Sequence, residues 1–107
     1  MSRPRVEILY FQGCPNHEPT LELVDRVAKE LRLDPVVELV EVPDNEVAAR
    51  LRFLGSPTVH IGGRDVEPGA DKRTDYGLSC RVYRSDQGVA GQPDEAWIRA
   101  ALAEAAQ

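Results

Sequence analysis

An α/β domain of order β-α-β-α-β-β-α is what this sequence predicts, on three observations. Runs of β-branched and aromatic residues alternate with stretches whose apolar residues recur at helical spacing. Gly62-Gly63 stands between the last two extended runs, as a two-residue hairpin turn requires. At 107 residues the chain is long enough to bury one core and too short for two, so 1–107 is expected to be a single domain.

The first run, "RVEILYF" (5–11), is apolar on alternating faces, with Val6, Ile8 and Tyr10 on one and Leu9 and Phe11 on the other. That is the pattern of a strand covered on both sides. From Thr20 the period changes: Leu21, Val24, Ala28 and Leu31 recur at helical spacing, and Val27 widens the stripe. This helix must end by Pro35, because the residue before a proline is pushed out of the α region. "VVELVEV" (36–42) reads as a second strand. "DNEVAARLRFLG" opens on Asp44 or Asn45 as a cap and closes on Gly55, a shorter second helix. "PTVHI" and "RDV" flank Gly62-Gly63 as a hairpin, with His60 facing away from Val59 and Ile61 in a structural role. The last helix takes Asp94 as its cap and buries Trp97, Ile98, Ala101, Leu102 and Ala105.

Residues 67–93 fit this alternation poorly. They are rich in Gly, Asp and Pro, and a structureless connection of that length is uncommon in a compact domain. The reading is an ordered excursion, with "CRVY" (80–83) extended and "SDQG" (85–88) a turn. Tyr76, Leu78, Val82 and Tyr83 are the residues expected to pack it down, bringing Cys80 toward the Cys14 end of the sheet.

Composition narrows the function classes. Thirteen basic and eighteen acidic side chains give a net charge of −5, and no basic run is longer than Lys72-Arg73, so nucleic-acid binding has no electrostatic footprint. No apolar stretch approaches a membrane span, and the opening "MSRPRVEILYFQG" is too broken by charge for a signal peptide. A cytoplasmic setting is expected, where two cysteines are more often thiols than a structural bridge.

The chemistry centres on "YFQGCPNHEP" (10–19), where the first strand gives way to the first helix. If the helix begins at Cys14, Pro15 takes the first helical position and the cysteine sulfur meets free N–H groups at the positive end of the dipole, which favours its thiolate. His17 then shares its face and is a candidate activator. If the helix begins at Glu18 instead, with Pro19 in the favoured first position, Cys14 lies on a loop and loses most of that effect. Cys80 has three open roles: to resolve a mixed disulfide, to complete a metal site, or to fill the core. Asn16 is a local hydrogen-bonder at the turn.

The element order, Cys14 at the first strand–helix junction and "GSPT" (55–58) before the third strand together resemble the thioredoxin-like superfamily. The set "GCPN…FLGSPT…DVEP…CRVY" is similar to a group of small bacterial thioredoxin-family proteins, some labelled selenoproteins or relatives of alkylmercury lyases. The resemblance covers about 1–66 and the last helix, and it favours the earlier helix start. It implies a thioredoxin-like fold with a four-stranded mixed sheet, the first strand central, and helices on both faces. It also implies a cis peptide bond before Pro57, facing Cys14. Backbone groups beside that proline, at Pro57 and Thr58, would with Asn16 hold an extended substrate by strand addition. One departure matters, since Cys14-Pro15-Asn16-His17 puts histidine where dithiol members keep a second cysteine.

Three functions follow as expectations. The first is a thiol–disulfide oxidoreductase with Cys14 as nucleophile, His17 as activator and Cys80 as resolving thiol, acting on a small or protein thiol or disulfide without a cofactor. On this reading Cys14 is alkylated faster than Cys80. The second is a soft-metal or organomercury binding module built from Cys14, His17 and Cys80. The third is an interaction scaffold with an inert Cys14.

Overall fold

The computed structural model describes residues 3–106. Among them the order is β1 (Arg5–Tyr10), α1 (His17–Glu30), β2 (Val36–Glu41), α2 (Asn45–Leu51), β3 (Thr58–Ile61) and β4 (Arg64–Asp65), then β5 (Tyr83–Ser85), β6 (Gly88–Ala90) and α3 (Glu95–Ala105). A 3₁₀ turn, Ala70–Lys72, lies between β4 and β5. The first six elements and α3 are those expected from the sequence. β5 and β6 are additions.

β1 to β4 form one mixed sheet in the order β2-β1-β3-β4. β1 pairs with β2 in parallel, Ile8 opposite Leu39, and with β3 in the antiparallel sense, Ile8 opposite Val59. This register sends Val6, Ile8, Val59 and Ile61 to one face, where α1 brings Val24, Val27 and Ala28, and α3 brings Ile98 and Leu102. Leu9 points to the other face and packs with Val42, Phe53 and Ala48 of α2. Helices therefore cover both faces. Among the described residues nothing pairs with the outer edge of β2, and Val36, Val37 and Leu39 along it are exposed.

Boundaries differ from expectation at two helices. α1 begins at His17, with Asn16 as its cap residue, so neither Cys14 nor Glu18 opens it. Pro19 is then the third helical residue. The first four N–H groups of a helix have no acceptor within it, so proline removes no bond there and kinks nothing. α2 ends at Leu51 rather than near Gly55, because Arg52 turns left-handed (φ 59°) and Phe53 N–H returns to the Ala48 carbonyl at 2.8 Å. That turn drives Phe53 into the second core cluster, where it is fully buried. Capping by Asp44 and by Asp94 is as expected: their carboxylates accept from Val47 N–H at 2.8 Å and Ala96 N–H at 2.7 Å.

Residues 67–93 are ordered by a hairpin and a strap. β5 and β6 pair around Asp86-Gln87, within the turn expected at 85–88. Extended pairing within "CRVY" begins at Tyr83 rather than Cys80, although Cys80 makes one isolated parallel bridge to Ser56. The packing residues also differ. Tyr83 is buried, but Leu78 and Val82 are exposed and Arg81 is buried in their place.

Candidate functional site

The turn between β1 and α1 is closed through backbone rather than through thiol contacts. Cys14 N–H donates to the Phe11 carbonyl at 3.2 Å, and the Cys14 carbonyl lies 2.8 Å from His17 Nδ1. A carbonyl oxygen only accepts, so Nδ1 carries the hydrogen and Nε2 is the ring's basic nitrogen in the neutral form. The His17 ring also stacks on Tyr10, with centroids 4.3 Å apart and planes 11° from parallel. His17 thus organises the turn around Cys14. Because α1 begins three positions later, the Cys14 side chain is not part of the helix's first turn.

The two thiols differ sharply in access. Both are free, but Cys14 is 4 % exposed and buried, whereas Cys80 is on the surface. Accessibility therefore runs against the expected order of alkylation.

Asn16 serves the turn through its carbonyl, which accepts from Thr20 Oγ1 at 2.7 Å and from Thr20 N–H at 3.2 Å. Its side chain makes no cap bond and lies against Gly91 as the excursion returns. A Cβ on Gly91 would stand 2.4 Å from Asn16 Nδ2, so only glycine permits this approach without displacing the amide. The 67–93 segment thereby reaches the Cys14 turn from one side.

It reaches β3 from the other. The Ser56–Pro57 bond is cis, as the resemblance implies. Ser56 N–H donates to the Ser79 carbonyl at 2.8 Å, and its own carbonyl accepts from Arg81 N–H at 3.0 Å, which puts Cys80 directly opposite Ser56. Ser56 Oγ in turn accepts from Phe11 N–H at 3.4 Å. The Pro57 carbonyl accepts from the Tyr83 hydroxyl at 2.5 Å. Thr58 Oγ1 donates to the Gly55 carbonyl at 2.5 Å and accepts from Arg81 Nη1 at 3.0 Å. The Pro57 carbonyl, expected to hold a substrate, is thus engaged by the chain's own strap together with the Ser56 backbone, and Thr58 meets the strap through its side chain.

Arg81 is the residue that sequence reasoning missed. Its side chain is 2 % exposed and grips Asp65 with both terminal nitrogens, at 2.7 and 3.0 Å, and Glu67 at 2.7 Å. Its guanidinium lies 4.4 Å from the centre of the Tyr83 ring. Burial alone would lower the Arg81 pKa, but the hydrogen bonds to Asp65 and Glu67 outweigh it and leave it raised. Burial likewise raises the Tyr83 phenol and lowers the His60 imidazole, which faces Glu7 and Asp65 across the sheet. A buried arginine runs against composition, since arginine is almost never buried unpaired. The available signal was alternation: Arg81 and Tyr83 turn inward while Cys80, Val82 and Arg84 turn outward.

Among the described residues no three His, Cys, Asp or Glu side chains gather to hold a metal ion, so Cys14, His17 and Cys80 do not form a ligand set. No protein-family model matches this sequence, and no curated protein is similar to it.

Proposed function

We propose that this chain is a thiol–disulfide redox protein of thioredoxin-like fold, working through Cys14 and Cys80. The observation that carries the reading is the pairing of Cys80 with Ser56, next to the turn that holds Cys14. Strand addition beside Pro57 is where the sequence resemblance puts an incoming substrate. Here the added strand is the protein's own, and the residue at its centre is a cysteine. The sheet order, with β1 inside and the Cys14 turn at its end, is consistent with the same fold.

Burial sets the order of events. A substrate disulfide meets exposed Cys80 first; the Cys80 sulfur forms a bond to one substrate sulfur, and the other leaves as a thiolate. Cys14 then attacks the Cys80 sulfur, the second substrate thiolate departs, and the Cys14–Cys80 disulfide remains. The substrate disulfide gains two electrons and the protein dithiol loses them. His17 contributes by fixing the Cys14 turn, through the Cys14 carbonyl.

The test is to equilibrate the reduced protein with glutathione and glutathione disulfide and to map the product by peptide mass spectrometry. The expected product has lost two hydrogens and links the peptides carrying Cys14 and Cys80. Mixed glutathione adducts alone, with no internal link at any ratio, would overturn the proposal.

A further inference from the structure

We infer that Arg81 is a positioning residue for this exchange: its grip on Asp65, Glu67 and Thr58 is what holds Cys80 opposite Ser56. The inference rests on the Cys14–Cys80 reading and adds the device that makes the pairing possible.

Cys80 itself has little to hold it. Its side chain is exposed, and its neighbours Leu78 and Val82 are exposed as well, so apolar burial at those positions does not dock this stretch. Its regular pairing with the sheet is a single bridge, to Ser56. One bridge between two edge segments is worth little in water, because each backbone bond exchanges for bonds to solvent. The adjacent residue supplies what is missing. Arg81 carries four side-chain hydrogen bonds, three of them to carboxylate oxygens at 2.7–3.0 Å, and all in a site from which its side chain is 98 % withdrawn. Charge-assisted and bidentate bonds of this kind are the strong ones, and they fix direction as well as distance. Their acceptors are rigid. Asp65 is on β4 opposite His60, and its Oδ1 also accepts from Glu67 N–H at 3.0 Å. Thr58 opens β3. Tyr83, two residues on, clamps the same segment to the Pro57 carbonyl. The clasp therefore ties residues 81–83 to β3, β4 and the Pro57 carbonyl, directly after Ser56, and Cys80 is the residue immediately before it.

A chain that needed only to close this edge would bury an apolar residue at 81 at lower cost, since an ion pair taken out of water recovers its desolvation only with good geometry. What the ion pair adds is a fixed register: guanidinium and carboxylates fit one another in one arrangement, whereas an apolar side chain slides. For a thiol that must meet another thiol, register is the quantity that matters.

The experiment compares the effective concentration of Cys80 toward Cys14 in wild type, Glu67→Gln, Asp65→Asn and Arg81→Lys, from the glutathione ratio at which the internal disulfide is half formed. Reduced-state thermal melts and near-UV circular dichroism are run alongside, and the exchange is measured at a temperature where each variant retains the wild-type spectrum. Loss of one strong bond should lower the effective concentration on the order of tenfold. Asp65→Asn and Arg81→Lys, which remove the bidentate geometry, should lower it more than Glu67→Gln does. An additional variant, Glu30→Gln, breaks an exposed pair elsewhere with Arg99 and should leave the ratio unchanged. Wild-type effective concentrations in all three clasp variants would overturn the positioning role while leaving the exchange reading intact. Absence of the internal disulfide in wild type would instead remove that reading.

Discussion

At the scale of single residues, the thiols and the tyrosine beside them make the sharpest demands. Cys80 is exposed and Cys14 is buried, so a small alkylating agent should modify Cys80 first, with Cys14 following about tenfold or more slowly as the turn opens. Timed quenching and intact mass spectrometry, with the site read from peptides, measure this; Cys14 reacting first would require a turn far more mobile than its hydrogen bonds suggest. Tyr83→Phe removes only the hydroxyl that reaches the Pro57 carbonyl. The carbonyl is then left buried and unpaired, and denaturant melts should show a loss of roughly 1–3 kcal/mol. Cys14 was legible in the sequence because glycine and proline bracket it where one period gives way to another. Arg81 was not, because its burial depends on Asp65 and Glu67, whose meeting with it is a tertiary event that no local pattern announces.

Among the elements, those with a period of their own could be read and those held by partners could not. α1, α3 and the β3–β4 hairpin carry their stripes and turn residues in plain sight. The β5–β6 hairpin is two three-residue strands, too short for an alternation to register, and Val89 on it is exposed. The start of α1 was misread because two prolines each offered a first position, whereas the third position proved equally permissive. Gly55 shows how close the strap lies to the rest of the chain. Its φ is +129°, and a Cβ there would stand 2.9 Å from Arg81 Cβ and 3.1 Å from the Ser79 carbonyl. Gly55→Ala should therefore cost roughly 1–3 kcal/mol from backbone strain alone and displace the strap besides. Gly63→Ala, at φ +83° with open space around it, should show the strain without the displacement. Proteolysis within 77–91 separates the two: accelerated cleavage is expected in Gly55→Ala only, and equal cleavage in both would mean that the strap does not depend on this contact.

For the molecule as a whole, the order of elements followed from alternation and turn chemistry, whereas the central place of β1 and the helices on both faces were implied by the resemblance and are found in the sheet order β2-β1-β3-β4. Its acid stability should follow from His60. Burial lowers this imidazole below its ordinary value of 6.5, so the unfolded chain binds its proton more readily than the folded one. Stability is then full above about pH 6.5 and falls as the pH drops through the lower folded value. Urea midpoints measured between about pH 7 and pH 5 should decline in wild type and decline less in His60→Gln. A second decline, below the ordinary carboxylate value of 4.5, is expected from Glu30 and Glu95, whose pKa values are lowered by Arg99 and Arg26 across the contact between α1 and α3. Those groups are on the surface, so added salt should weaken the second decline and leave the first.

β2 bears on how copies of this protein treat one another. Its outer edge offers unpaired N–H and C=O groups beside Val36, Val37 and Leu39, a template on which a second chain can hydrogen-bond. Glu38 and Glu41 interrupt this apolar run, and the molecule carries a net charge of −5. Repulsion between glutamates on facing copies therefore opposes this pairing, even with Glu38 3.4 Å from Arg5, a protection that acid or mutation can withdraw while every helix and strand stays in place. Glu38→Gln at high concentration should scatter light well before wild type does, with an infrared signature of intermolecular β-pairing and no shift in melting temperature.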